Sequence, residues 1–192
     1  MKEKWLLISL EIFHREIYGK SLIISEALKN NYKCIIGSRQ AFFKNFKFLP
    51  NGIFLCKSAS NIDKIYLDYA KRFGNEIVCL DEEGFVESSL DHLVKYRLNI
   101  DTIKYLKKYF LWGNNQKLAF EKAYPTHKKI FINSGNPRVD LWTNNFLNFY
   151  GNVFNEIKKK YGSFILIPTS FSPANHYYGP QKRLNMFSNI YS

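Results

Sequence analysis

Short runs of consecutive apolar residues alternate along the chain with stretches whose apolar positions recur three or four apart, which predicts strands alternating with helices. Trp5 to Leu10 reads as a first strand, followed by helical spacing from Arg15 to Asn30. Lys33 to Ile36, closed by Gly37, reads as the second strand, Gln40 to Phe46 as a short helix, and Ile53 to Cys56 as the third strand after the turn Pro50-Asn51-Gly52. A helix over about Ile62 to Phe73 stops at Gly74-Asn75, and Glu76 to Leu80 is the fourth strand. Ser88 to Tyr96 and Asp101 to Lys108 read as helical, Tyr109 to Trp112 as strand, and Asn115 to Ala123 as helix. Lys129 to Ile132 is the sixth strand, and helical sequence resumes from Pro137 towards Tyr161 with a possible break at Gly151. The alternation predicts an α/β fold on a mainly parallel sheet over residues 1–161. Ser163 to Pro168 reads as the first strand of a second unit over residues 162–192, ending in the polar turn Thr169 to Asn175.

Ligands of open α/β sheets bind outside the carboxyl ends of the strands, so the polar residues that follow each strand are the candidates for chemistry. They are Glu11, Arg15 and Glu16 after the first strand, Lys57 after the third, Asp81, Glu82 and Glu83 after the fourth, Gly113 and Asn114 after the fifth, and Asn136 and Arg138 after the sixth. Asn136-Pro137 with Asp140 is in the first place a helix start, with Asn as N-cap, Pro in the first turn and Asp140 near the positive end of the dipole. Arg138 beside that start adds the possibility of an anion site. Three consecutive carboxylates at Asp81-Glu82-Glu83 are commonly a solvated loop. At a strand end, crowding is expected to raise their pKa values and poise one as a general base.

Composition removes other classes. No apolar run nears the roughly 18–20 residues of a membrane span, and the charged residues after Leu10 do not fit a signal peptide, so a cytoplasmic location is expected. Cys34, Cys56 and Cys79 lack metal or redox spacing and read as reduced core residues. His14, His92, His127 and His176 stand apart, so no metal site is expected, and no G-x-S-x-G, Walker A, H-E-x-x-H or G-x-G-x-x-G occurs. The net charge of +12 comes from 28 basic against 16 acidic residues, and the basic residues are mostly scattered lysines. That pattern argues against nucleic acid and leaves attraction to anionic lipid or phosphate-bearing substrates.

The motifs taken together, Glu11-Ile12 with Arg15-Glu16, Ile36-Gly37, Gly52 to Ser58, Asp81-Glu82-Glu83-Gly84, Trp112-Gly113 with Gln116, and Gly135 to Leu141, resemble the bacterial surface carbohydrate biosynthesis proteins. These look like GT-B-type glycosyltransferases of capsule and lipopolysaccharide assembly, and the resemblance spans roughly residues 4–175. It implies a Rossmann-like, doubly wound N-terminal domain, with Phe164 to Phe171 and Asn175 opening a second one that would supply most contacts to the donor. On that resemblance, these 192 residues are expected to carry only the beginning of the second domain.

The function expected is glycosyl transfer from a nucleotide sugar to a glycan acceptor in surface polysaccharide biosynthesis, with no further cofactor and possible peripheral association with the inner membrane. A carboxylate among Asp81, Glu82 and Glu83 would deprotonate the acceptor hydroxyl, and Arg138 and Lys57 would orient anionic groups. Glu11, Arg15, Glu16, Asn136 and Asp140 complete the expected substrate-binding set. A sugar-nucleotide epimerase and a non-catalytic carbohydrate- or partner-binding remnant are the alternatives.

Overall fold

A computed structural model of the chain describes residues 3–84, 89–167 and 179. Six strands form one sheet: β1 (Lys4–Leu10), β2 (Tyr32–Ser38), β3 (Ile53–Cys56), β4 (Glu76–Leu80), β5 (Leu106–Leu111) and β6 (Phe131–Asn133). Between and after them run α1 (Phe13–Lys29), α2 (Arg39–Asn45), α3 (Lys64–Arg72), α4 (Leu90–Arg97), α5 (Ile100–Ile103), α6 (Asn114–Ala123), α7 (Pro137–Asp140) and α8 (Gly151–Tyr161). The sheet order is β2-β1-β3-β4-β5-β6 and every pairing is parallel. This is a Rossmann-like, doubly wound α/β fold. The chain divides into units 1–149 and 150–192, and the sheet lies wholly in the first.

Alternation along the strands separates two cores. Leu7, Phe54, Cys56, Ile77, Cys79, Tyr109 and Phe131 face a layer that includes Phe42 of α2, Leu67 and Ala70 of α3, Leu93 of α4 and Phe120 of α6. Leu6, Ile8, Leu55 and Leu80 face Ile23, Ile24 and Ala27 of α1 on the other side. Right-handed crossovers account for the division. The step from β1 to β2 runs one way along the sheet and carries α1, and the steps from β2 over β1 to β3 and onward run the opposite way. Strand order therefore reverses between β1 and β3, which places a topological switch point beside the turns that begin at Glu11 and Lys57. The three cysteines are free thiols, with Cys56 and Cys79 buried as register neighbours on β3 and β4.

Four elements differ from the sequence expectation. The helix expected over Asp101 to Lys108 is a single turn, α5, and the chain has become β5 by Leu106. The register between β4 and β5 shifts after Ile77–Leu106, so Val78 pairs with Lys108 and Lys107 is passed over. Leu106 and Tyr109, three apart, then face the same core, a spacing that reads as helical in sequence. Lys129 and Ile130 belong to a 3-10 turn, Pro125–Ile130, and β6 starts at Phe131. The helix expected from Pro137 stops after α7, passes through a 3-10 segment, Asn144–Tyr150, and restarts at Gly151. The strand expected from Ser163 has no regular structure through Ile167. Pro168 and the turn Thr169 to Asn175, with His176, lie outside the described residues. No described helix is long and apolar enough to cross a membrane.

Candidate functional site

The loops at the carboxyl ends of β1, β3, β4 and β6 converge on one cluster of ion pairs. Six carboxylates (Glu11, Glu16, Asp63, Asp81, Glu82, Glu83) and six cations (Arg15, Lys20, Arg39, Lys57, Arg97, Arg138) interlock there. Of the ten residues expected at the site, nine meet in this cluster or, for Asn136, bond to it directly. Asp140 does not. It sits at the end of α7 beside Leu6, Ile23 and Pro137 and takes part in no ion pair among the described residues.

The deepest layer is the most costly to build. Lys20, one-hundredth exposed at mid-helix in α1, places its ammonium 2.5 Å from Glu82 Oε1. Arg138 Nη1 lies 3.7 Å from Glu82 Oε2 and donates to the Glu82 carbonyl at 2.8 Å. Gly19 makes room for this arrangement, because a Cβ there would come within 2.9 Å of Arg138 Cγ. Asp81, fully buried, accepts from Arg97 Nη2 at 2.6 Å and Nε at 3.1 Å. Arg97 titrates higher than usual, since the attraction of Asp81 and Glu83 outweighs the opposing cost of burial. The hydroxyl of buried Tyr109 also titrates well above its ordinary value, first through burial and then through Asp81.

The loop 81–84 is pinned by its carbonyls as well as by its carboxylates. The Asp81 carbonyl accepts from Trp112 Nε1 at 2.6 Å and Asn136 Nδ2 at 2.9 Å, and the Gly84 carbonyl accepts from Gln116 Nε2 at 2.8 Å. Asn136 also caps α7 through Oδ1 and the Arg138 amide, 2.9 Å apart, so its capping and site roles coexist. A Cβ on Gly84 would come within 2.6 Å of both Trp112 Cδ1 and Gln116 Nε2. Gly84→Ala is expected to cost about 1–3 kcal/mol through overpacking, read as a lowered urea midpoint with an unchanged slope.

The outer layer faces solvent. Glu83 is about one-third exposed and accepts from Arg15 Nη2 and Arg97 Nη1, each at 3.1 Å. Glu11 is the most open at 36% and pairs with Lys57, with Arg15 and Arg39 each 3.9 Å away. Arg39 stacks on the ring of Tyr66 and donates to Asp63 at 2.7 Å, and Ser58 and Ser60 hold the same Asp63 carboxylate. Buried Glu16 turns back to accept the backbone N–H groups of Glu11 and Ile12 at 3.2 and 3.0 Å. It thereby puts the protein's own carboxylate at the mouth of α1, where a Rossmann domain otherwise holds phosphate.

Crowding does not raise Glu83 as the bare run of carboxylates suggested. Burial pushes its carboxyl up, but Arg97, Lys57 and Arg15 together outweigh this and hold it below its ordinary value. Arg138 and Lys57, expected to orient anionic groups of a substrate, are both engaged with the protein's own carboxylates. His14, His92 and His127 stand outside the cluster, and no group of His, Cys, Asp and Glu among the described residues could hold a metal ion.

Sequence reasoning passed over Lys20, Arg39, Asp63 and Arg97. For Lys20 a signal was present: Glu16, Lys20, Ile23 and Ala27 fall four, three and four apart, so a lysine occupies the stripe that meets the sheet. Arg97 carries no such mark, because only the fold brings the end of α4 to the β4 loop.

What the fold and rim define is a class, a Rossmann-like α/β domain with a polar cluster at its switch point. In comparisons with known proteins, no family model, no curated protein and no solved structure matches the chain.

Proposed function

We propose that the domain is the acceptor-side half of a GT-B-type glycosyltransferase of surface polysaccharide assembly, which transfers a sugar from a nucleotide sugar to a glycan acceptor. The observation that carries this reading is the pinned loop 81–84. Motifs dispersed from Glu11 to Arg138 bond to one another around it and leave Glu83 alone of its three carboxylates open to solvent. Such rigidity suits a group that must meet one hydroxyl in one geometry. Glu16 at the mouth of α1 supports the acceptor side in particular, because a carboxylate there opposes a donor pyrophosphate, which a partnering domain would then hold.

In this mechanism Glu83 is ionised at neutral pH and accepts the hydrogen bond of the acceptor hydroxyl. It takes the proton as the oxygen attacks the anomeric carbon and the nucleoside diphosphate departs. Arg15 and Arg97 keep Glu83 in place, while Asp81 and Glu82 hold the loop from behind. A low-pKa carboxylate is a modest base, so orientation supplies much of the rate.

The test is mass-detected transfer from a panel of nucleotide sugars to oligosaccharide acceptors, with the donor-side domain supplied alongside this one. Glu83→Gln is expected to lower kcat by about 10²–10⁴-fold while leaving donor KM near the parent value. Isomerised donor formed without acceptor would identify an epimerase instead. Absence of both transfer and glycan binding would overturn the proposal.

A further inference from the structure

Resting on that reading, we infer that the acceptor sugar meeting this rim is uncharged, with a hydroxyl bridging Glu11 and Arg39, and that a sugar carrying a carboxylate is disfavoured there. Glu11 Oε1 and Arg39 Nη2 lie 3.9 Å apart, as do Glu11 Oε2 and Arg15 Nη2. These gaps exceed a hydrogen bond, yet a hydroxyl oxygen placed about 2.8 Å from each atom spans either one. A hydroxyl donates and accepts at once, so it satisfies a carboxylate and a guanidinium together. An anionic group cannot donate to Glu11 and meets it as a like charge.

Spare hydrogen-bonding capacity lies beside the gaps. Arg39 commits only Nη1, to Asp63 at 2.7 Å, and a guanidinium offers five N–H donors in all. Spare charge does not accompany it. Arg15 is matched by Glu83, Arg39 by Asp63 and Lys57 by Glu11, so seating an anion means expelling a carboxylate from its cation. The rim thus combines unused donors and acceptors with balanced charge, the combination that suits vicinal hydroxyls.

The experiment uses pairs of p-nitrophenyl glycosides that differ only at C6, CH₂OH against carboxylate, in the gluco, galacto and manno series. Binding to the full 192-residue chain is measured by saturation-transfer NMR with competition titration. For at least one pair the neutral member is expected to bind about tenfold or more tightly than the uronide. Glu11→Gln, which keeps the hydrogen-bonding shape and removes the negative charge, should narrow that gap to below about threefold, and Arg39→Met should weaken the neutral member. Uronide binding as tight as neutral binding in the parent chain overturns this inference and leaves the glycan-acceptor reading standing. Neutral binding indifferent to both substitutions overturns the placement at Glu11 and Arg39. If no member of any pair binds, the acceptor reading falls with it.

Discussion

Lys20→Met is expected to destabilise the domain by about 3–5 kcal/mol, a large share of the stability of a protein this size. The ammonium of Lys20 and the carboxylate of Glu82 are both out of solvent, 2.5 Å apart. Removing the cation leaves Glu82 with only Arg138, at 3.7 Å from its second oxygen. That oxygen has no hydrogen bond, so Arg138 compensates the charge only in part. The double variant Lys20→Met/Glu82→Leu should recover most of the loss, because desolvation penalises both ions and an apolar pair of similar volume avoids it. Urea unfolding of the two single variants and the double gives the coupling directly. A double variant no better than the sum of the singles would mean that the pair contributes through something other than mutual charge compensation.

A loss of similar size, about 3–5 kcal/mol, is expected for Arg97→Met, which strips buried Asp81 of both its guanidinium bonds. Here a pH signature separates the electrostatic effect from lost packing. The Glu83 carboxyl titrates below its ordinary 4.5 in the folded chain, and Arg97 is foremost among the groups that lower it. A carboxyl depressed on folding contributes stability above its unfolded pKa and loses it as pH falls through the folded value. In the parent chain that contribution is therefore complete at pH 7 and is lost only well into acid. Without Arg97 the Glu83 pKa rises towards its ordinary value, so this contribution shrinks at neutral pH, while in acid below the folded value there is none left to lose. Urea midpoints of parent and variant should be far apart at pH 7 and draw together below about pH 4. A separation independent of pH would assign the whole effect to the packing of the Arg97 side chain.

Both substitutions fall behind the solvent-facing layer, which distinguishes them from Glu83→Gln and Glu11→Gln. Those outer positions are open enough to change without unfolding the chain, so their effects belong to binding and turnover. The inner positions set where the outer ones stand. Asp81 is held by Arg97, Glu82 by Lys20 and Arg138, and Glu83 extends from a loop whose carbonyls are taken by Trp112, Asn136, Arg138 and Gln116.

Local sequence by itself determined where β1 to β4 lie and that they run parallel. The apolar runs at Ile53 to Cys56 and Glu76 to Leu80 coincide with β3 and β4, because consecutive apolar residues facing two covered sides of a sheet have no other economical solution. The same periodicity placed the loop residues Glu11, Lys57, Asp81 and Asn136 at strand ends, where parallel strands deliver them to one edge. Periodicity misread β5, since a register shift let Leu106 and Tyr109 share a face at helical spacing. What only the tertiary structure decided is which charges meet. Lys20 and Glu82 are 62 positions apart, and Arg15 and Glu83 are 68 apart. Whether a run of three carboxylates repels itself upward in pKa or is neutralised depends on the cations folded against it. That is a property of distances of a few ångströms, which sequence order does not encode.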